Sequence, residues 1–101
     1  MVGKLSKVIW AKNARLQLKK IISFIKKDSV QNAENVRNEI FSSTKQILAH
    51  PTKFPVDKYK KNNKGNFRAY EIFHYRISYE ITETQINIVR IRSTHQDTKK
   101  Y

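Results

Sequence analysis

The chain has 101 residues, room for one domain with one hydrophobic core, and its 39% apolar content excludes an intrinsically disordered protein. The absence of cysteine excludes disulfide bonds and thiolate metal sites, and with no signal peptide or membrane span in the sequence we expect a cytoplasmic protein. The 21 Lys and Arg residues against 8 acidic residues give a net charge of +13, which favours an acidic partner, either nucleic acid or protein, over a charge that only keeps the protein soluble.

The first half of the sequence predicts one short strand followed by two helices. Residues 7–10 form the predicted strand, and after Ala11 the apolar residues recur at i, i+3, i+4 and i+7, the pattern of an amphipathic helix. Ser29 is the predicted N-cap of a second helix, which keeps the same spacing as far as Pro51. The predicted apolar stripe comprises Leu18, Ile21, Ile22 and Ile25, then Ala33, Val36, Ile40 and Ile47, with Phe24, Phe41 and Leu48 broadening it. So short a connection between the helices predicts an antiparallel hairpin.

The second half predicts a long exposed loop and three strands. Residues 51–66 contain both prolines, Gly65 and a cluster of lysines, a composition typical of a loop. In "YRISYEI", Tyr75, Ile77 and Tyr79 share one face of a strand, and "NFRAYEIF" before it and "INIVRIRS" after it are rich in aromatic and β-branched residues. The predicted fold is α+β in the order β-α-α-β-β-β, with an antiparallel sheet, a helical hairpin packed on one face, and one domain over residues 1–101.

The predicted sheet leaves its second face open, and arginines gather there. Arg76 alternates with the apolar residues of its strand and therefore points away from the helices. If Val89 and Ile91 point toward the helices, Arg90 and Arg92 lie on the open face with Arg76. The pattern thus predicts a cation-lined surface on the side of the sheet opposite the helical hairpin.

Five segments follow one another along the chain: "VIWAKNA", "DSVQNAENV", "HPTKFP", "NFRAYEIFHYRISYEI" and "INIVRIRSTHQDTKKY". In this order and at these intervals they resemble the RelE/ParE superfamily of bacterial toxins from type II toxin–antitoxin modules. The match covers nearly the whole chain. The resemblance implies the fold already inferred from the pattern and a cognate antitoxin as partner.

Two activities diverge within this superfamily, and the sequence resembles proteins with each. ParE-like members poison DNA gyrase, and the helical hairpin and the central segment look closer to these. RelE-like members cut mRNA on the ribosome, and Arg76, His95 and Tyr101 fall at or near the positions where those proteins carry a phosphate-contacting arginine, an acid–base residue and a terminal tyrosine. The paired lysines that precede this arginine in RelE-like members are not reproduced, because Arg68 matches one and Tyr70 stands in place of the other.

The predicted site residues are Arg76, His95 and Tyr101 for catalysis, only if the protein is a nuclease, and Arg68, Arg90 and Arg92 for contact with phosphate, nucleic acid or the target. RNA cleavage without a metal needs a base for the 2′-OH, an acid for the leaving 5′-oxygen and cations around the phosphorus. The arginines can supply the cations, His95 can act as base or acid because an unperturbed histidine has a pKa near neutrality, and Tyr101 can bond a phosphate or stack on a base. The structural alternatives are a strand arginine paired with Glu71 or Glu80, a loop histidine and a chain-terminal tyrosine.

The sequence indicates neither a metal nor a nucleotide cofactor. His50, His74 and His95 are far apart and lack a carboxylate pair at ligand spacing, and Gly3 and Gly65 belong to no phosphate-binding glycine loop. The predicted function is therefore that of a ParE-like toxin that poisons DNA gyrase and is held inactive by an acidic antitoxin. The alternatives are a RelE-like ribosome-dependent endoribonuclease and a non-toxic basic module that binds nucleic acid.

Overall fold

The computed structural model describes residues 5–94 and contains two helices and four strands in that part of the chain. Their order is β1 (Lys7–Trp10), α1 (Lys12–Asp28), α2 (Val30–Ala49), β2 (Phe67–Ile72), β3 (Tyr75–Ile81) and β4 (Gln85–Ser93). The predicted order and the α+β class are confirmed. The two helices pack together and lie on one face of the sheet, as the hydrophobic pattern predicted.

The sheet has the strand order β1-β4-β3-β2, so β4 and β3 are central and β1 and β2 lie at the edges. Strands β2, β3 and β4 form the predicted antiparallel meander. Strand β1 instead pairs in parallel with β4, Lys7 opposite Gln85 and Trp10 opposite Ile88, which makes the sheet mixed where the sequence predicted an antiparallel one. The central strands supply the fully buried side chains Ile77, Tyr79, Ile86, Ile88 and Ile91.

The helical hairpin turns at Ser29, which caps both helices. Its side-chain oxygen accepts a hydrogen bond of 3.0 Å from the Asn32 N–H, confirming the predicted N-cap of α2, and its own N–H donates to the Ile25 carbonyl at 3.0 Å. Ile40 and Ile47 of α2 are fully buried against the sheet. Hydrogen bonds from Ser29 thus cap the end of α1 and the start of α2, and this short turn holds the helices antiparallel.

The buried stripe of α1 is shorter than predicted. Ala14 and Leu18 are buried, and Ile21 and Ile22 pack partly against the core, but Ile25 is half-buried and is no part of that cluster. Ile25 lies one turn before the end of the hairpin, past the last α1 side chains that reach the core. The expectation that Ile25 is a core residue was therefore wrong.

Two aromatic residues of the predicted apolar stripe are exposed. Phe24 is 68% exposed because it projects about 120° around α1 from the buried Leu18. Phe41 on α2 is 37% exposed and meets the edge of the Trp10 ring at 5.9 Å between centroids. The surface of the hairpin thus carries apolar side chains among its lysines.

The segment between α2 and β2 is tied to the start of β2 by backbone bonds. Val56 forms an isolated bridge with Arg68, and the Asp57 N–H donates to the Phe67 carbonyl at 2.8 Å. The Asn63 amide then donates to the carbonyls of Asp57 and Phe67 at 3.1 and 2.8 Å, while its oxygen accepts from the Gly65 N–H at 2.9 Å. Gly65 has a φ of +99°, a conformation that favours glycine. Residues 51–66 therefore form a folded loop laid across the sheet.

Candidate functional site

A β-bulge in β4 decides which residues face away from the helices. Ile86 and Ile88 are fully buried, so strict alternation would carry the next even-numbered residues, Arg90 and Arg92, into the same interior. The pairing with β3 shifts instead, because Ser78 lies opposite Arg90 while Tyr79 lies opposite Ile88. One extra residue in β4 therefore reverses the alternation, and both arginines project from the open face.

The extra residue is Val89, which has no partner on β3. Val89 lines the cavity on the open face. The prediction for Arg90 and Arg92 assumed instead that Val89 and Ile91 both point toward the helices, and for Val89 this assumption is wrong. Ile91 is fully buried, as that assumption required. The predicted gathering of arginines on the open face thus occurs, but the bulge and not regular alternation produces it.

Arg76, Arg90 and Arg92 lie on adjacent strands of this face. Arg76 and Arg92 are direct cross-strand partners, and Arg90 is the partner of Ser78, two residues further along β3. Like charges directly opposite each other in a sheet are destabilising. A counter-anion, from the protein itself or from a ligand, would offset this repulsion.

The loop supplies one anion, the carboxylate of Asp57. Its Oδ1 lies 2.9 Å from the Arg76 Nη2 and accepts a second hydrogen bond of 3.0 Å from the Tyr59 N–H. Although burial raises the pKa of the Asp57 carboxyl, the Tyr59 N–H and the Arg76 guanidinium outweigh it and hold that pKa below its usual value. The Tyr59 ring lies on the Arg76 guanidinium at 4.8 Å. Arg76 is thus bound on two sides by the loop.

The open face forms a cleft, here called the arginine cleft, beside this contact. Two adjoining cavities of about 460 and 420 Å³ share the side chains of Tyr59, Arg76, Arg90 and Arg92. The first is also lined by Lys58, Glu71 and Thr94, and the second by Asp57, Lys60, Phe67, Ser78 and Val89. Five cations thus line the cleft against two carboxylates, and the space is large enough for a nucleotide-sized ligand.

Comparison with known proteins places the chain in a family. Residues 8–98 match the family described as the ParE toxin of the type II toxin–antitoxin system parDE. The chain belongs to the ParE toxin family. A solved structure titled "Chromosomal ParDE TA system from P. aeruginosa" has the same fold, with a TM-score of 0.71 at 14% identity over 91% of this chain and 98% of that one. No curated protein matches the sequence.

Membership of the ParE family confirms the predicted toxin class and identifies the protein as the toxin of a type II toxin–antitoxin system. It also implies a cognate ParD antitoxin as partner. No helix within residues 5–94 is long and apolar enough to cross a membrane. In the same part of this ParE protein, no three His, Asp or Glu side chains are grouped so as to hold a metal ion.

Arg68, a predicted contact residue, lies apart from the arginine cleft. The register pairs it with Tyr79, which belongs to the helix-facing side of β3, so Arg68 and Arg76 lie on opposite faces of the sheet. Its guanidinium donates to the carbonyls of Phe54 at 2.7 Å and Gly65 at 3.2 Å. Arg68 thus fastens both ends of the loop, and a direct contact with the target stays a prediction.

His95 and Tyr101 lie outside the described residues, so their predicted catalytic roles stay predictions. Thr94, the last described residue, lines the arginine cleft, and its N–H donates to the His74 carbonyl at 2.7 Å. Within residues 5–94, the cleft thus brings together three of the predicted site residues, Arg76, Arg90 and Arg92.

Asp57 and Tyr59, the two residues that hold Arg76, are among the cleft residues that were not predicted from the sequence. Both belong to a segment interpreted as an exposed loop, yet the Asp57 side chain is only 11% exposed. One signal was present in the sequence. Asp57 is the single acidic residue among the lysines of residues 51–66, which marks it as a candidate partner for a buried cation.

Proposed function

We propose that this ParE family member inhibits growth by poisoning DNA gyrase, and that an acidic antitoxin holds it inactive. The observation that carries the choice of target is the engagement of Arg76 by Asp57 and Tyr59. A nuclease would need this guanidinium directed at the charge that develops on phosphorus. A gyrase inhibitor needs a contact surface and no catalytic side chain.

The helical hairpin offers such a surface. Leu16 is 47% exposed and Phe24 is 68% exposed, and both line an open apolar groove bordered by Lys19, Lys20 and Lys27. Aromatic side chains, Phe included, are enriched in protein interfaces. We therefore assign this groove, rather than the arginine cleft, to contact with the target.

The test uses purified toxin, gyrase and supercoiled plasmid. We expect an increase in covalent gyrase–DNA cleavage complexes, seen as linear DNA after detergent and protease treatment, and its disappearance when the antitoxin is added first. The variant L16A/F24A should abolish this effect. Phe73→Ala, which removes a 47% exposed aromatic residue from the β2–β3 turn on another part of the surface, is the control. Toxicity in cells without any cleavage complexes or loss of supercoiling would contradict a gyrase target.

A second candidate activity is ribosome-dependent cleavage of mRNA. It is supported by the three arginines that line one cleft. Brief expression in a growing culture separates the two activities. Fragmented mRNA with intact DNA indicates the nuclease, and DNA damage with intact mRNA indicates the gyrase poison. The third alternative, a non-toxic module, does not agree with membership of a toxin family.

A further inference from the structure

The arginine cleft contains more positive charge than the fold requires. Within residues 5–94 Arg76 pairs with Asp57, and Arg90 forms no ion pair. The bulge in β4 directs Arg90 and Arg92 to this face, whereas regular alternation would have placed apolar or small residues there. Stability alone therefore does not explain the cluster, because cross-strand like charges lower stability.

The loop that covers one side of the cleft has other anchors besides the Asp57 carboxylate. Its backbone is tied to β2 by the Asp57 N–H, by the Asn63 side chain and by the Arg68 guanidinium. The carboxylate adds two contacts to these anchors, the hydrogen bond from the Tyr59 N–H and the ion pair with Arg76. The position of the loop therefore does not depend on the ion pair alone.

The geometry points to a phosphate-binding site formed by Arg90, Arg92 and Lys58, in which the Asp57 carboxylate occupies Arg76 and competes with the incoming phosphate group. Arginine guanidinium groups bind phosphate through paired hydrogen bonds, and an oxyanion is what the loop itself places against Arg76. A phosphate in the cleft can accept hydrogen bonds from Arg90 and Arg92, and it can bond the Arg76 group that holds Asp57 only by displacing the Asp57 carboxylate. The inference concerns binding, is independent of the gyrase target and includes no reaction step.

The phosphate can be free or part of a phosphodiester, and two probes distinguish these sources. Binding of pyrophosphate and of a short single-stranded oligonucleotide to the purified toxin is measured by calorimetry at fixed ionic strength. Binding of both probes, or of the oligonucleotide alone, supports the site and names its ligand. Binding of neither at millimolar concentration overturns it.

Two variants with a matched control test the residues. R90A/R92A should weaken binding by about 10-fold or more, since two phosphate contacts are lost. R15A/K19A removes the same charge from α1 and should change the affinity less than about 2-fold at the same ionic strength. Equal losses in both variants would show attraction by net charge alone and end the proposal.

Asp57→Asn tests the competition. The amide oxygen can still accept the Tyr59 N–H but no longer neutralises Arg76, so phosphate affinity should rise on the order of 10-fold. The melting midpoint monitors the fold. Unchanged or weaker affinity in a folded Asp57→Asn protein would show that Asp57 does not compete with the ligand. Because the assay contains no gyrase, failure here leaves the proposed target untouched, and failure of the gyrase assay leaves this site untouched.

Discussion

The hydroxyl groups of Tyr70 on β2 and Ser43 on α2 lie 2.6 Å apart in the buried layer between helix and sheet. Ser43 also donates its hydroxyl hydrogen to the Ile40 carbonyl at 2.6 Å, so the Tyr70 phenol is the donor to Ser43. The Tyr70 ring stacks on Phe54 at 4.3 Å between centroids. This one residue thus connects the edge strand, α2 and the loop that follows α2.

Tyr70→Phe should therefore destabilise the protein without altering its shape. The ring and its stacking remain, but the buried Ser43 oxygen loses its donor, and we expect a cost of about 1 to 2 kcal/mol. In a domain of this size that lowers the melting midpoint by about 5 to 15 °C, measurable by circular dichroism. Tyr59→Phe, which changes an exposed phenol, is the control. Equal midpoints for Tyr70→Phe and the parent protein would show that the bond contributes nothing to stability.

The same phenol predicts a loss of stability at alkaline pH. Burial raises the pKa of Tyr70 from 10.0 to about 12, against the opposing effect of the Ser43 bond. Because the folded-state pKa lies above the unfolded one, the contribution is complete below pH 10 and is lost as pH rises toward 12. A shift of two pKa units corresponds to a loss of about 3 kcal/mol in the free energy of unfolding once Tyr70 is ionised.

Urea denaturation across this range measures the effect. Burial also raises the pKa values of Tyr75 and Tyr79, so the parent protein should lose stability steadily above pH 10. Tyr70→Phe starts lower and should decline less steeply, since its titrating group is gone. Parallel pH profiles for the two proteins would contradict the assignment of this loss to Tyr70.

A pair of isoleucine substitutions tests the corrected helix packing. Ile40→Ala opens a cavity at a fully buried position and should cost about 2 to 5 kcal/mol. Ile25→Ala removes the same atoms at the half-buried hairpin tip and should cost only about 1 kcal/mol. The two variants can be compared directly, because both replace isoleucine by alanine and differ only in the burial of the position. Similar losses of unfolding free energy at both positions would return Ile25 to the core.

The elements of this fold were predictable because each depends on local pattern. The helical spacing around Leu18 and Ile40, the cap at Ser29 and the alternation in β3 are all short-range signals. The parallel pairing of β1 with β4 joins segments about 78 residues apart and leaves no mark in either one. The exposure of Phe24 and the partial exposure of Ile25 were not predicted. Periodicity shows which way a side chain points around a helix, but it does not show where the sheet beneath the helix ends.

The candidate site was predictable only in part. Alternation along β3 correctly predicted that Arg76 points away from the helices. In β4, Arg90 and Arg92 lie on the same open face only because the bulge at Val89, which was not predicted, reverses the alternation after Ile88. The contact between Asp57 and Arg76 depends on how a loop crosses the sheet, and composition marks a loop without giving its path. The lone acid in a lysine-rich segment was the available clue.

Association with the antitoxin should depend strongly on salt. A toxin of net charge +13 attracts an acidic partner electrostatically. At physiological salt this attraction is screened beyond about 8 to 10 Å. The association rate constant, measured by stopped flow, should fall by about 10-fold or more from low to high salt, while the dissociation rate changes little. A rate constant insensitive to salt would rule out steering by charge.

A substitution at Arg76 can separate the two candidate activities, but it must be combined with a substitution at Asp57, its ion-pair partner. Arg76→Ala alone leaves the Asp57 carboxylate, 11% exposed, without its partner, so lost toxicity in that variant could reflect lower stability. The double variant D57N/R76Q removes both charges together and keeps polar groups in place.

If the protein is a nuclease, D57N/R76Q should lose about 10²- to 10³-fold in cleavage rate and with it the toxicity, since a preorganised cation at the phosphate is gone. If it poisons gyrase, growth inhibition should persist, and L16A/F24A should abolish it because the hairpin groove is the contact surface. Antitoxin binding and the melting midpoint confirm that each variant is folded. We expect the second pattern, because the loop already holds Arg76 through Asp57 and Tyr59. Loss of toxicity in folded D57N/R76Q, with L16A/F24A fully toxic, would reverse the assignment and make the arginine cleft the active site.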